Sequence, residues 1–179
     1  GPSIIKDNNI TVTTTTSGSN GIIVGEGTHT ITGNTVTAKG TATVYGLQMY
    51  TAVQSTTGYL LQGNATLEDN TITATTTTGN TAYAVYLTDA KLNIASGDFA
   101  GDYVAASSAV INSGKYTATA AGTTGYALVL DATKTQGSVS GSASCTVNGG
   151  KFKGTATSTF ADVNASATAD NLSLAGGYY

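Results

Sequence analysis

Apolar residues bracket a four-residue polar segment seven times along the chain, from Ile5-Lys6-Asp7-Asn8-Asn9-Ile10 to Leu174-Ala175-Gly176-Gly177-Tyr178-Tyr179. The copies between span 31–36, 67–72, 94–99, 111–116 and 147–152. The fourth position is always Asn or Gly: Asn8, Asn34, Asn70, Gly97, Gly114, Gly150 and Gly177. Gly lacks a Cβ and Asn can bond locally, so these two types best tolerate a left-handed backbone. The fourth position is therefore expected to turn the chain from one strand into the next. Strict alternation follows the corner in Ile10-Thr11-Val12-Thr13, Ile72-Thr73-Ala74-Thr75 and Tyr116-Thr117-Ala118-Thr119, the period of a strand with one buried face.

A second frame recurs in Tyr45-Gly46-Leu47-Gln48-Met49, Tyr83-Ala84-Val85-Tyr86-Leu87 and Tyr126-Ala127-Leu128-Val129-Leu130. Period two predicts that its first, third and fifth residues point inward, with Gly46, Ala84 and Ala127 outward. Phe160-Ala161-Asp162-Val163 is an imperfect copy in which Asp162 is a fault in the inward series. A third strand precedes each corner, through 65–67, 92–94 and 145–147. Stretches of Ser, Thr, Gly and Asn, such as 14–20 and 75–80, recur between the first two strand sets and are expected as ordered loops on one edge.

The last apolar residues of the frames fall at 10, 36, 72, 99, 116, 152 and 179, spaced as the coils of a parallel β-helix are, with insertions in two long coils. No segment carries a 3.6-residue apolar period. A β-sandwich is the structural competitor, but it gives no reason for one corner to recur seven times. The fold expected is all-β, a single-stranded parallel β-helix of about six to seven coils, right-handed because parallel crossovers favour that hand. Asn8, Asn34 and Asn70 are expected to stack as an amide ladder, making the polar ladder stronger in the first half.

Gly1-Pro2-Ser3 has the look of an expression-tag remnant, so residues 1–4 are read as tag and lead-in and 5–179 as one β-helix domain. Frames reach both ends without a cap, which suggests a fragment of a longer rod whose ends stack on flanking domains or subunits.

Composition sharpens the picture. Thr supplies 35 residues and Gly 23, which favours strands and turns. There is no Arg, and seven Lys face ten acidic residues, so nucleic acid is excluded as a partner. No apolar run is long enough for direct membrane insertion. Cys145 is solitary and shares a column with Leu172, Leu92 and Ala109, as a buried small residue would. His29 falls in the same column as a structural or rim residue.

The corner frame, small-residue turns and irregular coil lengths resemble the right-handed parallel β-helix of pectin-lyase-like proteins and of secreted or cell-surface bacterial adhesins, over essentially residues 5–179. That resemblance implies an extracellular or cell-surface, bacterial location and a glycan or a host or cell-surface protein as partner. It implies an adhesive rod, with polysaccharide lyase and glycoside hydrolase as alternatives, and the threonine-rich outer face adds an ice-binding protein as a further alternative.

Hydrolysis needs two carboxyl groups roughly 5–5.5 Å or 6.5–9.5 Å apart. Asp98 and Asp102 are the local candidates, with Glu68-Asp69 one coil earlier, but they occupy columns otherwise filled by Thr and Lys. No catalytic, metal or cofactor residue is assigned. Tyr86 and Tyr50 are the stacking candidates, and Asp98 and Asp102 complete the ligand-binding set. Outward Thr pairs at 11/13, 73/75 and 117/119 resemble ice-binding rows, interrupted by Lys39, Asp102 and Lys153.

Overall fold

The computed structural model describes residues 1–50, 52–53, 60–61, 63–77, 79–88, 91–101, 103–106, 108–118, 126–130, 144–154, 160–162 and 171–178. Nineteen of its strands stack into three parallel sheets of seven, six and six strands, wound as a right-handed parallel β-helix. Sheet 1 stacks Ser3–Lys6, Gly27–Thr32, Gly63–Glu68, Lys91–Ile94, Ser108–Ile111, Ser144–Val147 and Asn171–Leu174. Sheet 2 stacks Asn9–Thr13, Thr35–Lys39, Asn70–Thr75, Gly97–Gly101, Lys115–Ala118 and Lys151–Lys153. Sheet 3 stacks Ser19–Val24, Val44–Tyr50, Ala82–Thr88, Tyr103–Ala106, Tyr126–Leu130 and Phe160–Asp162. The first strand begins at Ser3, whose hydroxyl lies 2.6 Å from His29 Nδ1, so Ser3 and Ile4 are part of sheet 1.

The seven-fold frame sets the register. Ile5, Ile31, Leu67, Ile94, Ile111, Val147 and Leu174 pair in one column of sheet 1. Ile10, Val36, Ile72, Phe99, Tyr116 and Phe152 pair in one column of sheet 2. From Val36 onward these sheet 2 residues are all buried. Tyr179, the last of the series, lies outside the described residues.

The corner differs from expectation in the first three coils. There the left-handed residue is the third of the frame, Asp7 (φ 55°), Gly33 (φ 66°) and Asp69 (φ 52°), not the Asn that follows. In the later coils it is the fourth, with Gly114 and Gly150 at φ 117° and 118°. The core explains the two corner types. Where the column residue is aliphatic, the Asn side chain fills the space beneath the corner: Asn8 Nδ2 donates to Asn34 Oδ1 (2.9 Å) and Asn34 Nδ2 to Asn70 Oδ1 (3.0 Å). Where it is aromatic, the ring fills that space instead. A Cβ on Gly114 would lie 2.9 Å from Tyr116 Oη, and one on Gly97 2.7 Å from the Phe99 ring. Phe99, Tyr116 and Phe152 stack at centroid separations of 5.2 and 4.6 Å. Thus Asn two residues before Ile or Val, and Gly two before Phe or Tyr, are two solutions to one packing problem.

The later coils also carry a ladder of their own, on the surface: Asn148 Nδ2 donates to Asn112 Oδ1 (2.9 Å) and Asn112 Nδ2 to Asn93 Oδ1 (3.1 Å).

The polar stretches between sheets 2 and 3 are tied down by their hydroxyls. Thr14 donates to Ser17 O, Ser19 to Lys39 O and Thr76 to Ala42 O, at 2.6, 2.8 and 2.6 Å. Beneath them Ala38, Val44, Ala74 and Ala82 form a small second core. In the shortest coil only residue 102 separates Gly97–Gly101 from Tyr103–Ala106. In the long coil from 36 to 72, the extra residues include an antiparallel pair, Ala52–Val53 with Leu60–Leu61.

Candidate functional site

Sheet 3 bends in mid-strand, and the bend decides what faces outward. Val44, Gly46, Leu47 and Met49 are all buried, as are Ala82, Ala84 and Val85, so two consecutive residues point inward in each strand. The small residue at the bend faces the column residue of sheet 2. A Cβ on Gly46 would run into Ile72 Cγ2, and one on Gly21 into Val36 Cγ1. No larger side chain fits, and the alternation changes phase at that point.

Tyr45 and Tyr83, expected inward, are consequently half-buried on the outer face, while Gly46 and Ala84, expected outward, are inside. The missed signal was Asn20, which pairs in register with Tyr45 and is exposed. An amide directed to solvent at the first rung places the Tyr45 position on the outer face of the sheet. Tyr116 does face inward, as expected. The expectations for the side chains of Tyr126, Ala127, Cys145 and Asp162 lie outside the described residues.

The bend brings three tyrosines together. Tyr45 and Tyr83 stack at 5.4 Å with planes 9° apart, and the Tyr86 ring lies 5.2 Å from the first and 4.7 Å from the second, edge toward face. Stacked and edge-to-face pairs of this kind add about 0.5–1.5 kcal/mol each beyond area burial, so the cluster is held in place before any ligand arrives. Backbone register continues the column from Tyr83 to Tyr103 and from Tyr103 to Tyr126, four tyrosines on successive rungs.

Among the described residues, the other singled-out side chains do not converge on this cluster. Asp98 lies on sheet 2, opposite Thr71 and Lys115, and its carboxylate accepts from Lys115 Nζ at 3.2 Å in an exposed ion pair. Asp69 is taken up by its corner: its N–H donates to Ser96 Oγ (3.0 Å), whose hydroxyl donates to Asp69 Oδ1 (2.6 Å). Asp102 and the Tyr50 side chain lie outside the described residues. His29 is buried in the column with Ser3 and Ala65, its Nε2 lying 3.1 Å from Gly25 O, which is a structural role. Among the described residues no three His, Cys, Asp or Glu side chains gather as a metal site would require.

The outer face of sheet 2 changes character along the stack. Thr11, Thr37 and Thr73 pair across three rungs, beside Thr35 and Thr71. Lys39 stands between Thr13 and Thr75, Ala100 interrupts the Thr column before Thr117, and Lys153 follows Thr117. The hydroxyl lattice is thus three coils long, and beyond it the face carries Asp98, Lys115, Lys151 and Lys153. Comparison of the chain with family models, with curated proteins and with solved structures returned no match.

Proposed function

We propose that this chain is a noncatalytic, extracellular structural and adhesive β-helix that engages surface glycans through the tyrosines of sheet 3. The observation that carries the reading is the packed outward cluster of Tyr45, Tyr83 and Tyr86. Aromatic rings offer flat apolar area to the C–H faces of sugars, and phenolic hydroxyls supply hydrogen bonds at the rim. The rings are already ordered by one another, so little side-chain entropy remains to be lost on binding. Parallel ladders and a continuous core make the rod a rigid support.

The test is a glycan array followed by titration of any ligand found. Tyr86→Ala should weaken binding by about 2 kcal/mol, roughly 30-fold, while Tyr86→Phe keeps most of it. Retention of full affinity in Tyr86→Ala would remove the cluster as the site, and release of cleaved products from any polysaccharide tested would overturn the noncatalytic reading.

A further inference from the structure

We infer that the last two rungs of sheet 2 form a second binding site, specific for an anionic polysaccharide. Three features coincide there. The first is charge. Lys115 pairs in register with Lys151, and Thr117 with Lys153, all on the outward face. Parallel strands lie about 4.8 Å apart, so Lys115 and Lys151 are like charges held side by side, an arrangement that opposes folding. Asp98 relieves Lys115 on the other side. Among the described residues Lys151 and Lys153 have no ion-pair partner, and both are exposed. Three of the seven lysines of a chain with net charge −3 thus gather on two adjacent strands.

The second feature is an exposed ring. Tyr178 bridges to Lys151 on the next rung and remains 75% exposed. Its N–H donates to Gly150 O and its C=O accepts from Phe152 N, both at 2.9 Å, so its backbone is fixed beside the lysines. The third is shape. Lys115, Thr117, Lys151, Lys153 and Tyr178 line a shallow groove of about 430 Å³. Tyr116 and Phe152 complete its lining, and their stacked rings, planes 7° apart, stiffen the two strands.

Ammonium groups beside a flat ring suit a sugar that carries its own charge, with the ring face on Tyr178 and the carboxylate or sulfate on Lys151 and Lys153. An acidic peptide would satisfy the lysines but leave the tyrosine face unused. The inference stands apart from the tyrosine cluster of sheet 3, which carries no lysine, so either site can fail without the other.

Affinity electrophoresis at low salt with polygalacturonate, chondroitin sulfate, dextran and poly-glutamate tests it. Retardation by one or both charged polysaccharides, but not by dextran, is expected, and it should fall as salt rises. The response to polygalacturonate against chondroitin sulfate assigns the charge as carboxylate or sulfate. Lys151→Gln with Lys153→Gln should weaken binding by about tenfold or more, and Tyr178→Ala by about tenfold for the polysaccharide alone. Lys39→Gln, on the same face three rungs away, and Tyr86→Ala should change nothing. The site is overturned by no retardation with either charged polysaccharide, by equal retardation of the double lysine variant, or by an equal loss in Lys39→Gln. Poly-glutamate binding as tight as that of the polysaccharides, indifferent to Tyr178→Ala, overturns the sugar assignment.

Discussion

Replacing Asn70 by Ala removes the lowest rung of the buried amide ladder. Asn70 is fully buried, and its Oδ1 accepts from both the backbone N–H and the Nδ2 of Asn34, each at 3.0 Å. Its own Nδ2 donates to Ile31 O at 2.6 Å and Glu68 O at 3.1 Å. In the variant the Asn34 N–H loses its amide partner at a 1%-exposed residue, and Ile31 O loses a donor. A buried polar group left unpaired costs about 1–3 kcal/mol, so the expected loss is about 3 kcal/mol once the small void is included. Asn8 makes the same ladder bond at the exposed end, where water replaces what is removed, and Asn8→Ala should cost about 1 kcal/mol or less. Urea unfolding of both variants, with m unchanged, measures the difference. Equal losses at the two positions would refute the claim that burial gives the ladder its strength.

Three further outcomes follow from the packing. Gly114→Ala combines a φ of 117° with a Cβ 2.9 Å from Tyr116 Oη, and should lose about 2–3 kcal/mol in urea unfolding. Gly79→Ala, at φ 88° with open space around it, should lose about 1 kcal/mol. Tyr116→Phe forfeits the 2.8 Å bond to Ser113 O, about 1 kcal/mol, whereas Tyr116→Ala also empties the middle of the aromatic stack and should cost about 3–5 kcal/mol by the same measurement. The Lys115–Asp98 pair is solvent-exposed, so Lys115→Ala should shift stability by no more than about 0.5 kcal/mol, checked by the same titration with and without added salt.

The coil register was legible because it is written in a single repeated frame: each inward position of sheets 1 and 2 is set by the residue two places away on a straight strand. Sheet 3 was misread where period two breaks. The bend at Gly46 and Ala84 comes from contact with a different sheet, and no local alternation encodes a partner 26 residues distant, as Ile72 is from Gly46. The tyrosine cluster was missed for that reason, apart from Tyr86, which the alternation placed correctly outward.

The corner rule was half legible. That Asn and Gly share one position was plain, but Asn34 earns its place by its buried amide and leaves the left-handed turn to Gly33. The identity of the residue two places on, Val36 against Phe99, carried the distinction. The surface ladder through Asn93, Asn112 and Asn148 was unforeseen, because Asn93 sits two residues out of the column and reaches it only diagonally.

Stacking of successive coils in parallel register is tested most directly by cysteine cross-linking on the outer face of sheet 2, in a Cys145→Ser background. Thr11 pairs with Thr37 and Thr37 with Thr73, one strand spacing apart, about 4.8 Å and within disulfide reach. Mild oxidation should join cysteines placed at 11 and 37, and at 37 and 73, but not at 11 and 73, which lie about 9.6 Å apart. Cross-linking of the 11 and 73 pair as readily as the adjacent pairs, or of neither adjacent pair, would contradict the β-helix.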